Sequence, residues 1–241
     1  MVGVKLKVCW ISAGVSSFIA GYLERNTVDK YIYIDIENQH PDSMRFIKDC
    51  ERHLGKQVEI VKSNYKNIQN VIRQFHYING THGAKCTQVL KQRVRKEWES
   101  AHKEYDITYV WGMDLDEKNR AERIIESMPE FSHEFPLIDR RLKKQDAHAI
   151  LNKLGIRRPV MYDLGYSNNN CIGCVKGGMG YWNKIRVDFP EVFERMEKLE
   201  REVGHSCING VFLDELDPKR GKMSEEIMQE CGIMCYLTEM E

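Results

Sequence analysis

The chain has 241 residues, 42% of them hydrophobic, enough for one large domain with a real core or for a domain with an appendage. Its 36 Lys and Arg residues balance 36 Asp and Glu, so net charge gives no argument for a nucleic-acid partner. No apolar run approaches bilayer-spanning length, and the N-terminal segment MVGVKLKVCWISAG lacks the order of a secretory leader, so the expectation is a soluble cytoplasmic protein with no membrane association.

Residues 5–12 (KLKVCWIS) read as a buried strand, and a helix follows from Val15 with apolar positions at Phe18, Ile19, Tyr22 and Leu23. Residues 31–35 form a second strand. Asp42 is expected to cap the next helix, which carries Met44, Phe46, Ile47 and Leu54 and stops at Gly55. A third strand over 57–61 precedes helical patterns over 68–77 and 87–102, and a fourth strand over 107–111 ends at Gly112. Strands alternating with helices of this length predict an α/β, Rossmann-like, mostly parallel sheet with helices on both faces. Ligands of such sheets sit at the carboxyl ends of the strands, here Ser12-Ala13-Gly14, Asp35-Ile36-Glu37 and Trp111-Gly112.

Composition changes after Pro136, and residues 168–180 become loop-like, rich in Asn and Gly. A charged helix over 190–203 follows. The remainder, 206–241, has few long periodic segments and is expected to depend on its cysteines for anchorage. The organisation expected is a nucleotide-binding domain over 1–165 and a Cys-rich extension over 166–241 packed on it.

Between the first strand and its helix lies Ser12-Ala13-Gly14-Val15-Ser16-Ser17. Small residues let backbone N–H groups approach an anion, the helix dipole favours negative charge, and three serine hydroxyls add donors. The competing reading is an ordinary strand-to-helix turn. A Walker loop is excluded, because neither GxxxxGK nor its Lys is present. Asp35 and Glu37 are candidates for Mg²⁺ or a ribose, or simply N-caps of the following helix. Lys91 is a candidate phosphate neutraliser within the basic stretch 91–96; Arg140-Arg141-Leu142-Lys143-Lys144 and 218–222 are similar stretches. Each reads as a solvated surface, and each could equally line a phosphate site. Eight histidines show no HxxxH or HExxH pattern; only His40 lies at the expected nucleotide edge.

Two cysteine pairs, Cys171/Cys174 in CIGC and Cys231/Cys235 in CGIMC, have metal-ligand or redox spacing. Four thiolates fit tetrahedral Zn²⁺ or a [4Fe–4S] cluster, and closure across the long intervening loop would tie the tail to the sheet. Cys9 and Cys50 fall on apolar strand and helix patterns and read as packing residues, while Cys207 has no assignment.

The Ser12 to Ser17 loop resembles the S-G-G-x-D-S pyrophosphate loop of the adenine nucleotide alpha-hydrolase superfamily, with Ser12, Gly14 and Ser17 matching and Ala13 and Ser16 departing. Further segments resemble the phosphoadenosine phosphosulfate (PAPS) reductase branch in the same order. Ile34 to Phe46 looks like D-T-G-x-x-F-P-E-T, and Lys85-Cys86-Thr87 with Leu90-Lys91 looks like the Cys-then-Lys segment. Gly112, Glu117 and Arg120 resemble G-x-R-x-x-E-S-x-x-R, with Asp114 in place of the first Arg. Phe135-Pro136-Leu137, Asp146 and Tyr162-Asp163-Leu164-Gly165-Tyr166 resemble the series before the C-x-x-C, and Glu230-Cys231-Gly232-Ile233 resembles the terminal E-C-G-L-H.

The resemblance implies an adenine nucleotide, either ATP or a phosphosulfate (PAPS or APS), with Mg²⁺ as a companion to a triphosphate. It also implies Cys231 as a sulfur nucleophile served by a dithiol reductant. Met234 and the added Cys235 depart from the family, so Cys231 is equally a metal ligand. Two arrangements follow. In the first, Cys171, Cys174, Cys231 and Cys235 close one site and Cys86 stays near the nucleotide as a sulfur carrier or structural thiol. In the second, Cys86, Cys171 and Cys174 hold an iron–sulfur cluster with an open iron, as in some tRNA thiolation enzymes, and Cys231 and Cys235 exchange as a redox pair. The first is preferred because two local pairs chelate better than one distant singleton. Three functions compete: reductive release of sulfite from a phosphosulfate, ATP-dependent thiolation of a nucleic-acid base using a sulfur donor protein, and a non-catalytic nucleotide-binding module with a structural metal. A homodimer fits any of them.

Overall fold

The computed structural model describes residues 3–80 and 83–224. Five parallel strands form one sheet in the order β3-β2-β1-β4-β5. They are β1 Val4–Ile11, β2 Lys30–Asp35, β3 Val58–Lys62, β4 Tyr105–Val110 and β5 Ser132–Glu134. The crossovers carry α1 Val15–Leu23, α2 Asp42–Leu54, α3 Ile68–Phe75, α4 Lys85–Thr87, α5 Arg93–Ala101 and α6 Lys118–Ser127. Beyond the last strand come α7 Pro136–Asp139, α8 Lys144–Lys153, α9 Val160–Asp163, α10 Met179–Asp188 and α11 Pro190–Val203. The architecture is the α/β, Rossmann-like one expected from the alternating pattern. Among the described residues no helix is long and apolar enough to cross a membrane.

The sheet separates two cores because successive strand residues face opposite sides. Cys9 and Ile11 of β1 meet Phe18, Ile19, Phe46, Ile47 and Leu151 on one face. Val8 and Trp10 meet Ile72, Trp98, Trp182, Phe193 and Leu199 on the other. β1 is the central strand, pairing β2 through Cys9 and Tyr31 and β4 through Cys9 and Val110.

Several local expectations shift. The pattern over 87–102 is interrupted by a π-helical turn at Gln88–Gln92 before α5 begins. Asp42 does not cap α2: it occupies the first helical turn, with Pro41 at the cap. Its carboxylate accepts from Arg45 Nε at 2.8 Å and from the Val160 N–H at 2.9 Å. β5 and α10 add elements beyond those expected from local pattern, α10 beginning at the end of the loop-like stretch 168–180. β5 has only three residues, Ser-His-Glu, and owes its existence to pairing with β4.

Candidate nucleotide and thiol site

The loop after β1 is braced from within. Ser12 N–H donates to Ser17 Oγ at 3.0 Å, the two serine hydroxyls lie 3.0 Å apart, and Ser17 Oγ donates to Gly14 O at 3.0 Å. Gly14 N–H donates to Ser12 Oγ at 3.2 Å, and Val15 N–H to the Tyr162 hydroxyl at 3.3 Å. The serines thus shape the loop, and Ser16 is buried beside Ser17. Ala13 takes a left-handed backbone (φ 59°), a conformation that favours glycine. At the start of α1 the N–H groups of Ser16 and Ser17 have no intrahelical acceptor, as in any helix, and the dipole adds positive potential there.

Gly112, at the end of β4, closes against this loop. A Cβ on Gly112 would lie 2.3 Å from Ser17 Cα and 2.6 Å from Ser17 N, so only glycine lets the segment after β4 approach the first turn of α1. Beyond it, Asp114 is buried and its carboxyl is pushed up first by that burial and then by the Glu117 charge.

The residues at the end of β2 are committed to neighbouring elements. Asp35 pairs with Lys62 at 2.8 Å, and Glu37 accepts from Asn67 Nδ2 at 2.7 Å, so neither caps α2. His40 Nδ1 accepts the Asp42 N–H at 3.1 Å, and its ring meets Phe189 edge-on. Lys91 is buried in the π-helical turn, and its charge acts on Tyr33 in β2.

Residues 168–175 run across the carboxyl end of the sheet and form a roof. Asn169 Nδ2 donates to Ala13 O at 2.9 Å and to Ser43 Oγ at 3.0 Å. Because Ala13 O only accepts, the facing atom of Asn169 must be its amide nitrogen. Three residues on, Ile172 N–H donates to Asn38 O at 2.7 Å. Cys171 and Cys174 are both buried on this roof, separated by the left-handed Gly173 (φ 74°). The Tyr181 hydroxyl accepts the Cys174 N–H at 2.8 Å and donates to Cys171 O at 3.3 Å. Burial first, and the nearby Cys174 second, hold the Tyr181 phenol well above its ordinary range, so it stays a neutral strut. Lys144 reaches the roof from α8 through Asn168.

Cys9 and Cys50 are fully buried, and burial pushes the Cys9 thiol up to about 12. Cys86 is partly exposed in α4. Cys207 is buried, and its N–H, like that of Leu213, donates to the fully buried carboxylate of Glu200. Among the described residues, Cys9, Cys50, Cys86, Cys171, Cys174 and Cys207 form no disulfide. Among the described residues no three His, Cys, Asp or Glu side chains gather as for a metal ion. Cys231 and Cys235 lie outside the described residues. Cys171 and Cys174 supply two soft donors on one glycine turn, which suits half of a four-thiolate site.

Chemically, the site joins an anion-favouring helix start, a buried lysine and a thiol pair at one end of a parallel sheet. Asn169 and Tyr181 escaped sequence reasoning. Asn169 sits in a run of three Asn that signals only a loop, and Tyr181 sits in a helix whose pattern is obscured by glycine.

No protein-family model matches the chain. Over 203 residues it is 22% identical to an uncharacterized protein of Methanocaldococcus jannaschii, a match that covers 79% of this chain. The chain spans about 40% of the length of that relative.

Proposed function

We propose that the chain is a PAPS-reductase-like enzyme that binds an adenine nucleotide at the loop of residues 12–17 and performs cysteine chemistry on sulfur, with sulfite released from a phosphosulfate. The observation that carries this reading is the pair of bonds from Asn169 to Ala13 and from Ile172 to Asn38, which set the Cys171/Cys174 roof against the loops leaving β1 and β2.

In this reading the loop N–H groups and Lys91 bind the phosphates. A thiolate, assigned to Cys231 by the resemblance, attacks the sulfate sulfur. The sulfur–oxygen bond to phosphate breaks, the adenosine phosphate leaves with the electron pair, and a cysteine S-sulfonate remains. A dithiol partner then attacks the cysteine sulfur, sulfite departs, and the resulting mixed disulfide resolves onto the partner's second thiol. The partner supplies both electrons. Zn²⁺ or a [4Fe–4S] cluster bound through Cys171 and Cys174, with Cys235 among the remaining donors, would tie the C-terminal segment to the roof.

A second reading, ATP-dependent thiolation of a nucleic-acid base with Cys86 as sulfur carrier, is favoured by one observation. Asp114, buried beside Glu117, places acid where the phosphosulfate family carries Arg, and acid suits a magnesium-bound triphosphate better than a sulfate.

The test is product analysis with anaerobically purified protein. Sulfite from APS or PAPS in the presence of a dithiol, lost in Cys231→Ser with the metal content unchanged, supports the first reading. Pyrophosphate released from Mg-ATP in its place supports the second. Nucleotide binding without either product removes both and leaves a binding module.

A further inference from the structure

The chain is neutral overall, yet residues 140–158 contain seven Lys or Arg residues and one acid, Asp146. This segment builds α8 and its two flanks. Ala147 and Leu151 turn into the core, and α8 packs on α1, the helix that begins at the nucleotide loop. The outward side carries Lys144, His148 and Asn152 at four-residue spacing, a stripe of hydrogen-bond donors rising about 12 Å along the helix. At its far end lies a cleft of about 350 Å³ lined by His148, Asn152, Arg157, Arg158 and the Asp163 that pairs with Arg158.

Part of this charge is neutralised locally. Arg140 pairs with Glu24, Lys143 with Asp116, Arg157 with Asp42 and Arg158 with Asp163. Asp42 is shared with Arg45, and Asp146 is turned onto the Lys143 N–H. Arg141 and Lys153 are exposed and make no ion pair among the described residues. Each paired arginine binds its carboxylate through one N–H group and keeps others for a second acceptor. The half-buried His148 ring is held below its ordinary range by burial first, and then by the charges of Arg158 and Lys144.

We propose that the α8 face and its cleft form a docking surface for the phosphodiester backbone of a nucleic acid. A linear stripe of donors ending in an arginine-lined cleft matches an extended polyanion. An anionic membrane would call for an apolar anchor beside the charge, and the residues that flank the stripe outward, Gln145, Ala149 and Lys153, offer none. The surface also adjoins the loop of residues 12–17. His148 packs edge-on against Tyr162 at 4.8 Å, and the Tyr162 hydroxyl accepts the Val15 N–H. This inference does not depend on which nucleotide the loop binds.

The experiment measures binding of a labelled RNA hairpin, a duplex DNA of the same sequence and anionic phospholipid vesicles by the full-length protein over a salt series. The Arg141→Glu/Lys153→Glu double variant is compared with Arg195→Glu/Lys198→Glu, which changes net charge equally on α11 at the opposite face. The surface predicts binding to RNA or DNA that weakens about tenfold in the first variant and under about twofold in the second, with the salt slope of the first falling by about two. The nucleic acid bound more tightly identifies the natural one. Equal weakening by both variants, vesicle binding alone, or no nucleic-acid binding at low salt overturns the proposal. Failure of sulfite or pyrophosphate production leaves this result untouched, so the two readings fail separately.

Discussion

Cys9 and Cys50 on one hand, and Cys171 and Cys174 on the other, are all buried, but in different surroundings. Cys9 lies in β1 and Cys50 in α2, where regular structure encloses them on every side. Cys9 lies in the apolar core beneath α1, and its thiol faces the Ser17 carbonyl at 3.9 Å. Cys171 and Cys174 lie on an irregular roof, with backbone polar groups tied to Tyr181 and to the loops leaving β1 and β2. Burial alone therefore does not separate a structural thiol from a candidate reactive one. What separates them is the local frame: a strand and a helix hold Cys9 and Cys50, whereas an irregular segment holds Cys171 and Cys174.

Four changes would break or sharpen that contrast. The largest effect is expected from Gly112→Ala, which drives a Cβ into the Ser17 backbone at 2.3 Å. A loss of about 3 kcal/mol is expected in urea unfolding, together with loss of nucleotide binding. Asn169→Ala removes the bonds to Ala13 O and Ser43 Oγ and is expected to cost about 1–2 kcal/mol. Alkylation of Cys171 and Cys174, followed by mass spectrometry, should accelerate while Cys9 and Cys50 stay protected; uniform acceleration would mean that the roof is part of the frame.

Asp42 supplies a pH test. The Arg45 hydrogen bond, with the Val160 N–H and Arg157 contributing, holds its carboxyl well below the usual carboxylate range. A depressed folded-state pKa gives stability that is present above the unfolded value, about 3.9, and lost as pH falls below it. The melting-temperature difference between the wild type and Asp42→Asn should thus be largest near neutrality and shrink toward pH 3. A difference that grows on acidification would refute this assignment. The smallest effect is expected for Cys50→Ser, about 1 kcal/mol, with no change in nucleotide binding.

Much of the frame is legible in local pattern. The apolar runs around Val8, Ile32 and Tyr109 become neighbouring parallel strands, and Gly55 does end α2 in the left-handed conformation. β5 was not legible, because Ser-His-Glu carries no apolar signal and forms only as an edge partner of β4. At the site, the small-residue loop and the CxxC spacing could be read directly, whereas the commitments of Asp35, Glu37 and Asp42 could not. A carboxylate near a helix start looks like a cap in one dimension. In three dimensions Lys62, Asn67 and Val160 are nearer claimants.

By itself, the sequence determined the alternation of strands and helices, the small-residue turn after β1 and the presence of paired thiols, since periodicity and spacing act within a few residues. Only the tertiary structure decided that Asn169 grips Ala13 across 156 positions, that Gly112 must be glycine, and that the basic helix α8 packs on α1. Those outcomes depend on which distant surfaces the two-sided burial of the sheet brings into contact, and no local pattern records that.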